Sequence, residues 1–210
     1  FQKAFRRSGI DIAYSGGFSP HQIMSFAAPL GVGLESDGEY LDVELNSLCS
    51  TEEMKEKLNE QMAEGMEVLS VVVLPEKSGS AMAAVAAAGY YVVFRNAFEP
   101  PQGWQSAIDQ FLSNEKIIVK KQTKKSIMEI DLKPAIYDFR LSSYQEKDCL
   151  YLMVNASSSG NIKPAMVIEA LCSELELPFD AGWLMVTRED TYLNKGTESE
   201  PAFAPMDAVP

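Results

Sequence analysis

The chain has one histidine, His21, and it lies in the glycine-rich stretch YSGGFSPHQIMSF at residues 14–26. Imidazole is well suited to acid–base catalysis near neutral pH and is a frequent metal ligand. Catalysis by His21 would need an orienting acid, whereas a metal site would need two or three more ligands. Three roles therefore stay open for His21: bracing the turn at Gly16 and Gly17, contacting a ligand or RNA, and acting as an acid or base.

Metal and disulfide chemistry are not expected in this chain. No second histidine is present, and the three cysteines, Cys49, Cys149 and Cys172, are widely spaced and form no CxxC pair. An odd number of scattered cysteines does not build a disulfide framework or a zinc site. We therefore expect no metal and no cofactor, and a reducing cytoplasmic location.

Aromatic and basic side chains form a second group of candidates, for RNA binding. Phe18 lies in a glycine-flanked turn, where we expect an exposed ring that can stack on a base. Phosphate contacts are available to Arg6 and Arg7 near the start of the chain. A lysine-rich hairpin adds further candidates, although lysines that protect a solvated strand edge are an equally good explanation. These hairpin residues are Lys120, Lys121, Lys124 and Lys125.

A serine-rich segment directly before a predicted helix is a candidate anion-binding loop. It contains Ser158, Ser159, Gly160 and Asn161. Backbone N–H groups in such a loop can surround an anion at the start of a helix. The segment lacks the glycine spacing and the lysine of a P-loop, so a simple helix cap is the alternative.

The charge of the chain is strongly acidic but unevenly distributed. The net charge is −12, which argues against a protein that coats nucleic acid. Residues 35–67 hold eleven acids and two lysines, whereas residues 116–133 hold six lysines and two acids. A local basic face is therefore compatible with the acidic average, and the acidic segment is a candidate docking surface for a basic partner.

The patterning of apolar residues predicts alternating helices and strands. FQKAFRRSG reads as the end of a helix, and Ser50 with Glu53 reads as the capping box of a second helix. EYLDVEL and MEVLSVVVLP are predicted strands. Later segments predict a short alanine-rich helix, the helix WQSAIDQFLSNE, a hairpin from KIIVKKQ and SIMEIDL, two further strands, a helix that begins at Pro164, and the strand GWLMVTRED.

The order of these elements predicts an α+β fold of two ferredoxin-like halves, each with antiparallel strands and helices on one face. The first half covers residues 1–75, without the leading strand of the plan, and residues 76–89 form a connector with a short helix. The second half covers residues 90–193, and residues 194–210 are predicted to be a disordered acidic tail. No apolar run approaches the roughly 20 residues of a membrane span, so no membrane association is expected.

The first 45 residues carry a distinctive pattern, FQKAFRRSG, then AYSGGFSPHQIMSF, then PLGVGLESDGEYLDVEL. This pattern resembles the radical SAM-linked protein family of bacteria, and weaker similarity extends to about residue 193. Two departures are Gln22, where the family has a second proline, and Arg188, which is separated from Thr191 by two acids. The leading strand of the family, with the segment that opens its first helix, has no counterpart here. The matching residues are Phe1, Gln2, Arg6, Arg7, Gly9, Ala13, Tyr14, Ser15, Gly17, Phe18, Pro20, His21, Ser25, Phe26, Pro29, Leu30, Gly31, Glu35, Ser36, Glu39, Tyr40, Leu41 and Asp42.

The resemblance implies a cytoplasmic bacterial protein that works with a radical SAM enzyme, and fusions among relatives point to RNA. The chain lacks CxxxCxxC, the motif that binds the iron–sulfur cluster of such enzymes, so it is expected to be the accessory partner. We therefore expect a non-catalytic protein that binds RNA or presents a substrate. The alternatives are a protein–protein adaptor that docks through its acidic face, and an enzyme that uses His21 as an acid or base.

Overall fold

The computed structural model describes residues 1–47, 49–75, 77–95, 103–122 and 127–207. Helices and strands both contribute, so the predicted α+β class is confirmed. Among the described residues, no helix combines the length and apolar character that crossing a bilayer requires. In chain order the elements are α1 (Gln2–Ser8), β1 (Met24–Phe26), β2 (Glu35–Ser36), β3 (Leu41–Val43), α2 (Thr51–Asn59), α3 (Ala81–Ala84), β4 (Ala87–Phe94), α4 (Trp104–Ser113), β5 (Ile118–Gln122), β6 (Ile127–Asp131), β7 (Ile136–Tyr144), β8 (Lys147–Asn155), α5 (Pro164–Glu174), β9 (Leu184–Asn194) and β10 (Phe203–Pro205).

The chain divides into two compact units. Unit 1 contains Phe1–Ala27 and Leu41–Ala81, and unit 2 contains Ala28–Tyr40 and Met82–Pro210. This division differs from the one predicted at residues 75–90, because residues 28–40 join the later part of the chain. The physical reason is that β2 pairs in parallel with β9, which ties this early segment to the sheet of unit 2.

Unit 1 has a small core between its two helices and a short strand pair. Phe5 of α1 and Leu58 of α2 are buried in that core, and β1 pairs antiparallel with β3. Gly9 ends α1 with a left-handed φ of 69°, as the sequence predicts. Ser50 Oγ accepts a hydrogen bond of 3.1 Å from the Glu53 N–H, which confirms the predicted cap of α2.

The prediction of a strand at MEVLSVVVLP is wrong, since none of these residues is part of a strand. Asn59 binds the backbone of Val68 instead: its Oδ1 accepts from the Val68 N–H at 2.7 Å, and its Nδ2 donates to the Val68 carbonyl at 3.0 Å. Val68 and Val71 pack on the core of unit 1, whereas Leu69 and Val72 are exposed. A β-branched sequence forms a strand only where a second strand is available for pairing.

Unit 2 is built on a larger sheet with the strand order β10-β9-β4-β8-β7, in which these neighbours are all antiparallel. Helices α4 and α5 cover one face of it. Ile108 of α4 and Leu171 of α5 are fully buried against Val92 and Leu152 from the two central strands. The alternation of β4 places Tyr90 in this core, so that Tyr91 lies on the opposite face of the sheet.

The two strands of the hairpin predicted for the lysine-rich segment are confirmed. β5 and β6 pair antiparallel, from Ile118 opposite Asp131 to Gln122 opposite Ile127. Val119 and Ile130 pack against the core of unit 2. The predicted tip, which contains Lys124 and Lys125, lies outside the described residues.

The chain after residue 194 differs from the predicted disordered tail. β10 pairs with the end of β9, with Phe203 opposite Asn194. The ring of Phe203 lies 4.6 Å from that of Tyr137, and Met206 is buried. These apolar contacts hold a segment whose composition alone is rich in proline, serine and acidic residues.

Candidate nucleic-acid interface

A half-open cavity of about 430 Å³, lined by both polar and apolar residues, lies in unit 2. One side of it is formed by the end of β6 and the turn that follows, and the other side by the loop between β8 and α5. The four residues predicted as an anion-binding loop all line it. Among the described residues, the lining consists of Ile130, Asp131, Ala135, Asn155, Ser158, Ser159, Gly160, Asn161 and Ile162. The structure therefore brings the serine-rich loop together with a strand of the lysine-rich hairpin.

Asn155, the last residue of β8, holds the serine-rich loop in place. Its Oδ1 accepts hydrogen bonds from the Ser157 N–H at 2.9 Å and the Ser157 hydroxyl at 2.7 Å. A Cβ at position 160 would lie 3.1 Å from Asn155 Nδ2, so Gly160 lets the loop approach this side chain closely. Within the described part of the chain, the N–H groups of Ser158, Ser159 and Asn161 have no hydrogen-bond partner. These three donors remain available to a ligand.

Asp131 supplies the one carboxylate among the described residues of the lining. Its Oδ1 accepts from the Ile117 N–H at 2.9 Å and the Lys133 N–H at 3.0 Å. The bond from Ile117, followed by that from Lys133 and the charges of Lys116 and Lys133, lowers the pKa of Asp131. Asp131 is therefore ionised at neutral pH. Its Oδ2 has no partner among the residues that the structure describes.

Two exposed lysines are sequence neighbours of residues at the cavity. Lys116 precedes Ile117, Lys163 follows the lining residue Ile162, and both are exposed. Lys133 instead donates from Nζ to the carbonyl of Leu112. Of the predicted hairpin lysines, Lys120 is exposed on β5, while Lys121 occupies the next position of that strand.

His21 is held by Ser15 in the hairpin of unit 1. The Ser15 N–H donates to the His21 carbonyl at 2.8 Å, and the His21 N–H donates to Ser15 Oγ at 3.1 Å. The same hydroxyl lies 2.8 Å from His21 Nδ1. The contacts of His21 are thus those expected of a residue that braces the turn. Phe18, at the tip of this turn, is fully exposed as the sequence predicts.

The two predicted arginines lie on α1, also in unit 1. Arg6 is exposed, whereas an Nη of Arg7 donates to the carbonyl of Gln61 at 3.0 Å. Arg7 therefore has a structural partner close to the end of α2. Unit 1 holds these arginines and the His21 turn, and unit 2 holds the hairpin lysines and the serine-rich loop.

The sequence did not reveal Asp131, Asn155 or a cluster of tyrosines on the helix-free face of the sheet in unit 2. Asp131 and Asn155 end β6 and β8 in the structure, whereas the predicted strands SIMEIDL and CLYLMVNAS continue past them. In the cluster, the hydroxyls of Tyr91, Tyr151 and Tyr192 all donate to the carboxylate of Glu189. Every phenol of this group is satisfied, so the cluster reads as a polar support of the sheet.

The described residues define an α+β protein with an open cavity beside the serine-rich loop. Among them, no group of three or more histidine, cysteine or acidic side chains is arranged to hold a metal ion. The chain belongs to the bacterial family DUF2344, whose description is "Uncharacterized protein conserved in bacteria" and whose sequence model matches residues 1–164. That match includes every residue that lines the cavity. No curated protein matches the chain.

Proposed function

We propose that this DUF2344 protein is a cytoplasmic, non-catalytic accessory protein that binds RNA. The observation that carries the proposal is the cavity of about 430 Å³, where the serine-rich loop meets the end of the lysine-rich hairpin. Lysines make the sequence-independent contacts to phosphates that position an RNA chain. Hydroxyl, amide and backbone N–H groups then contact sugars and base edges. The lining offers this second set, and Lys116 and Lys163 beside it offer the first.

Salt-dependent binding tests this proposal. We expect filter binding with transfer RNA and ribosomal RNA to be tighter at low salt than at moderate salt, since counterions are released from the phosphates. Lys163→Glu is expected to weaken binding and to reduce the slope of log affinity against log salt by about one, with no dependence on RNA sequence. Charge reversal at Lys120, Lys121, Lys124 and Lys125 tests the hairpin in the same assay. Binding that is absent at low salt, or unchanged by both sets of variants, would falsify the proposal.

Lys147→Glu is the matched control for Lys163→Glu. Lys147 is exposed and begins β8, whereas the cavity residue Asn155 ends the same strand. Lys147 and Asn155 are eight positions apart along β8, which is a distance of about 26 Å at roughly 3.3 Å per residue. The control makes the same change in net charge, and it is expected to alter RNA affinity less than Lys163→Glu does.

The partner in this proposal is a radical SAM enzyme, as the sequence resemblance implies. Co-purification of the two proteins from bacteria tests this part independently of RNA binding. A tagged chain that retains RNA binding but recovers no radical SAM protein would restrict the proposal to RNA.

We also propose that unit 2 is a ferredoxin-like half. The succession β4, α4, β7, β8, α5, β9 supports this assignment, because it follows the split βαβ plan with β5 and β6 as an insertion. The strand order β9-β4-β8-β7 is also antiparallel throughout, with α4 and α5 on one face. For unit 1 the support is narrower, since it rests on α1, the β1–β3 pair and α2. An experimental structure that placed α4 and α5 on opposite faces of the sheet would contradict the assignment.

A protein–protein adaptor is the second candidate, and one observation favours it. The outer face of α2 exposes four glutamates while Met54 and Leu58 face the core. Charge reversal along this face is expected to release a basic protein partner without changing RNA binding. A complex that survives the reversal would show that the acidic face is not the docking surface. The four residues are Glu52, Glu53, Glu56 and Glu60.

A further inference from the structure

We infer that the cavity of unit 2 binds the ribose of one unpaired RNA nucleotide, with Asp131 accepting a hydrogen bond from the 2′-hydroxyl. This inference rests on the proposed RNA binding and names the chemical group that the cavity recognises. Its consequence is a preference for RNA over DNA of the same sequence, since the 2′-hydroxyl is the group that distinguishes them.

The carboxylate of Asp131 decides what kind of group the cavity accepts. Because Asp131 is ionised and lines the cavity, a phosphate placed beside it would meet a like charge. A carboxylate only accepts hydrogen bonds, so it favours a group that carries a donor and disfavours an anion. This refines the anion-loop prediction: phosphates are expected at Lys116 and Lys163, and a hydroxyl-bearing group is expected inside.

The number of unoccupied oxygen atoms on the Asp131 carboxylate favours a single hydroxyl as the ligand group. Oδ1 of Asp131 already accepts two backbone N–H groups, from Ile117 and Lys133. Oδ2 is left for a ligand, so the two-oxygen pairing of a carboxylate with two adjacent base donors is not available. One oxygen suffices for a ribose hydroxyl.

The size and the donors of the cavity fit the rest of one nucleotide. About 430 Å³ lies near the lower end of the roughly 300–1,000 Å³ typical of small-molecule sites, which is enough space for a single nucleotide. The free N–H groups of Ser158, Ser159 and Asn161 can donate to sugar and base oxygens. The acceptor and the donors therefore belong to residues that line the same cavity.

The test compares three single strands of one sequence, RNA, DNA and 2′-O-methyl RNA, by fluorescence anisotropy at fixed salt. Wild-type protein is expected to bind RNA on the order of tenfold more tightly than either of the others, as for one hydrogen bond to a charged group. Asp131→Asn can keep an oxygen toward Ile117 and Lys133 while placing an NH₂ donor toward the cavity. The amide NH₂ can donate to the 2′-hydroxyl oxygen but lacks the charge of the carboxylate, so this variant is expected to reduce the preference for RNA and to keep the affinity for DNA.

Glu129→Gln is the control, because it makes the same change of charge two positions away on β6, at an exposed residue outside the lining. It is expected to retain the preference for RNA. Equal affinity of the wild type for RNA and 2′-O-methyl RNA overturns the ribose assignment. This comparison uses only the wild-type protein, so it does not depend on the folding of a variant. A preference that is undiminished in Asp131→Asn overturns the role of Asp131. In both cases salt-sensitive RNA binding still stands, whereas its absence for all three strands overturns the proposed function itself.

Discussion

The hydroxyl of Tyr151 donates a hydrogen bond of 2.7 Å to Oε2 of Glu189. The contact depends on a β-bulge, because the register of β4 against β9 pairs Gly89 with Asp190 but Tyr90 with Arg188. Glu189 is the extra residue of the bulge, and its side chain reaches the tyrosines on the helix-free face of the sheet. A local irregularity of one strand thus connects β4, β8 and β9 through a single carboxylate.

Gly89→Ala is expected to destabilise the protein, because the new methyl group would lie 2.5 Å from Glu189 Oε2 and 2.7 Å from the Tyr151 hydroxyl. Overpacking of this kind costs about 1–3 kcal/mol. Urea unfolding measures the loss. Gly31→Ala is the control in the same unit, since its Cβ would make an ordinary contact of 3.6 Å with Leu34. Equal unfolding midpoints for the two variants would show that the carboxylate and the phenol move aside without cost.

Alkaline titration of the tyrosine cluster is expected to unfold the protein. Burial, followed by hydrogen bonding to the Glu189 carboxylate, raises the pKa of Tyr91, Tyr151 and Tyr192. The folded state therefore holds these phenolic protons at pH values where the unfolded chain has released them, and stability falls as pH rises through the ordinary phenol range. The chain has eight tyrosines, and the part of the phenolate absorbance that Tyr91, Tyr151 and Tyr192 contribute is expected to appear together with the loss of the circular dichroism signal. Complete ionisation of the phenols in a folded protein would contradict this.

Elements that depend on neighbours in the sequence could be predicted. The Ser50–Glu53 cap, the buried face of α4 with Trp104 and Ile108, and the hairpin strands β5 and β6 follow from spacing of a few residues. Capping and amphipathic periodicity are local properties, so a sequence contains the information that they need.

Features that depend on distant pairing could not be predicted. Residues 66–75 have the composition of a strand, but strand formation depends on a partner that composition does not supply. The cavity depends on Asp131 and Asn155, which are 24 positions apart and meet only because β6 and the loop after β8 both lie beside the core of unit 2. The serine-rich loop was found as a motif, whereas the carboxylate that determines its ligand was not.

Acid is expected to remove the stabilising contribution of Asp131. The N–H groups of Ile117 and Lys133 lower its pKa in the folded state. The contribution is therefore fully present above the pKa of the unfolded chain and is lost as pH falls through the folded pKa. The stability difference between wild type and Asp131→Asn in urea is expected to be largest at neutral pH and to shrink in acid. Asp190→Asn is expected to show the opposite pH dependence. Burial raises the pKa of Asp190, so ionisation of this carboxyl destabilises the folded wild type as pH rises, and the stability of the variant relative to wild type should increase.

Phe18→Ser separates binding from folding at the tip of the His21 turn. Phe18 is fully exposed, so its loss is expected to change the free energy of unfolding by no more than about 0.5 kcal/mol. Phe5→Ala, in the core of unit 1, is expected to cost about 3–5 kcal/mol and shows that the unfolding assay detects a packed ring. If Phe18 stacks on a base, the serine variant should weaken RNA binding by about 1–3 kcal/mol at unchanged stability. An affinity equal to that of the wild type would exclude Phe18 from the RNA interface and leave the cavity of unit 2 and the basic side chains as the candidate contacts.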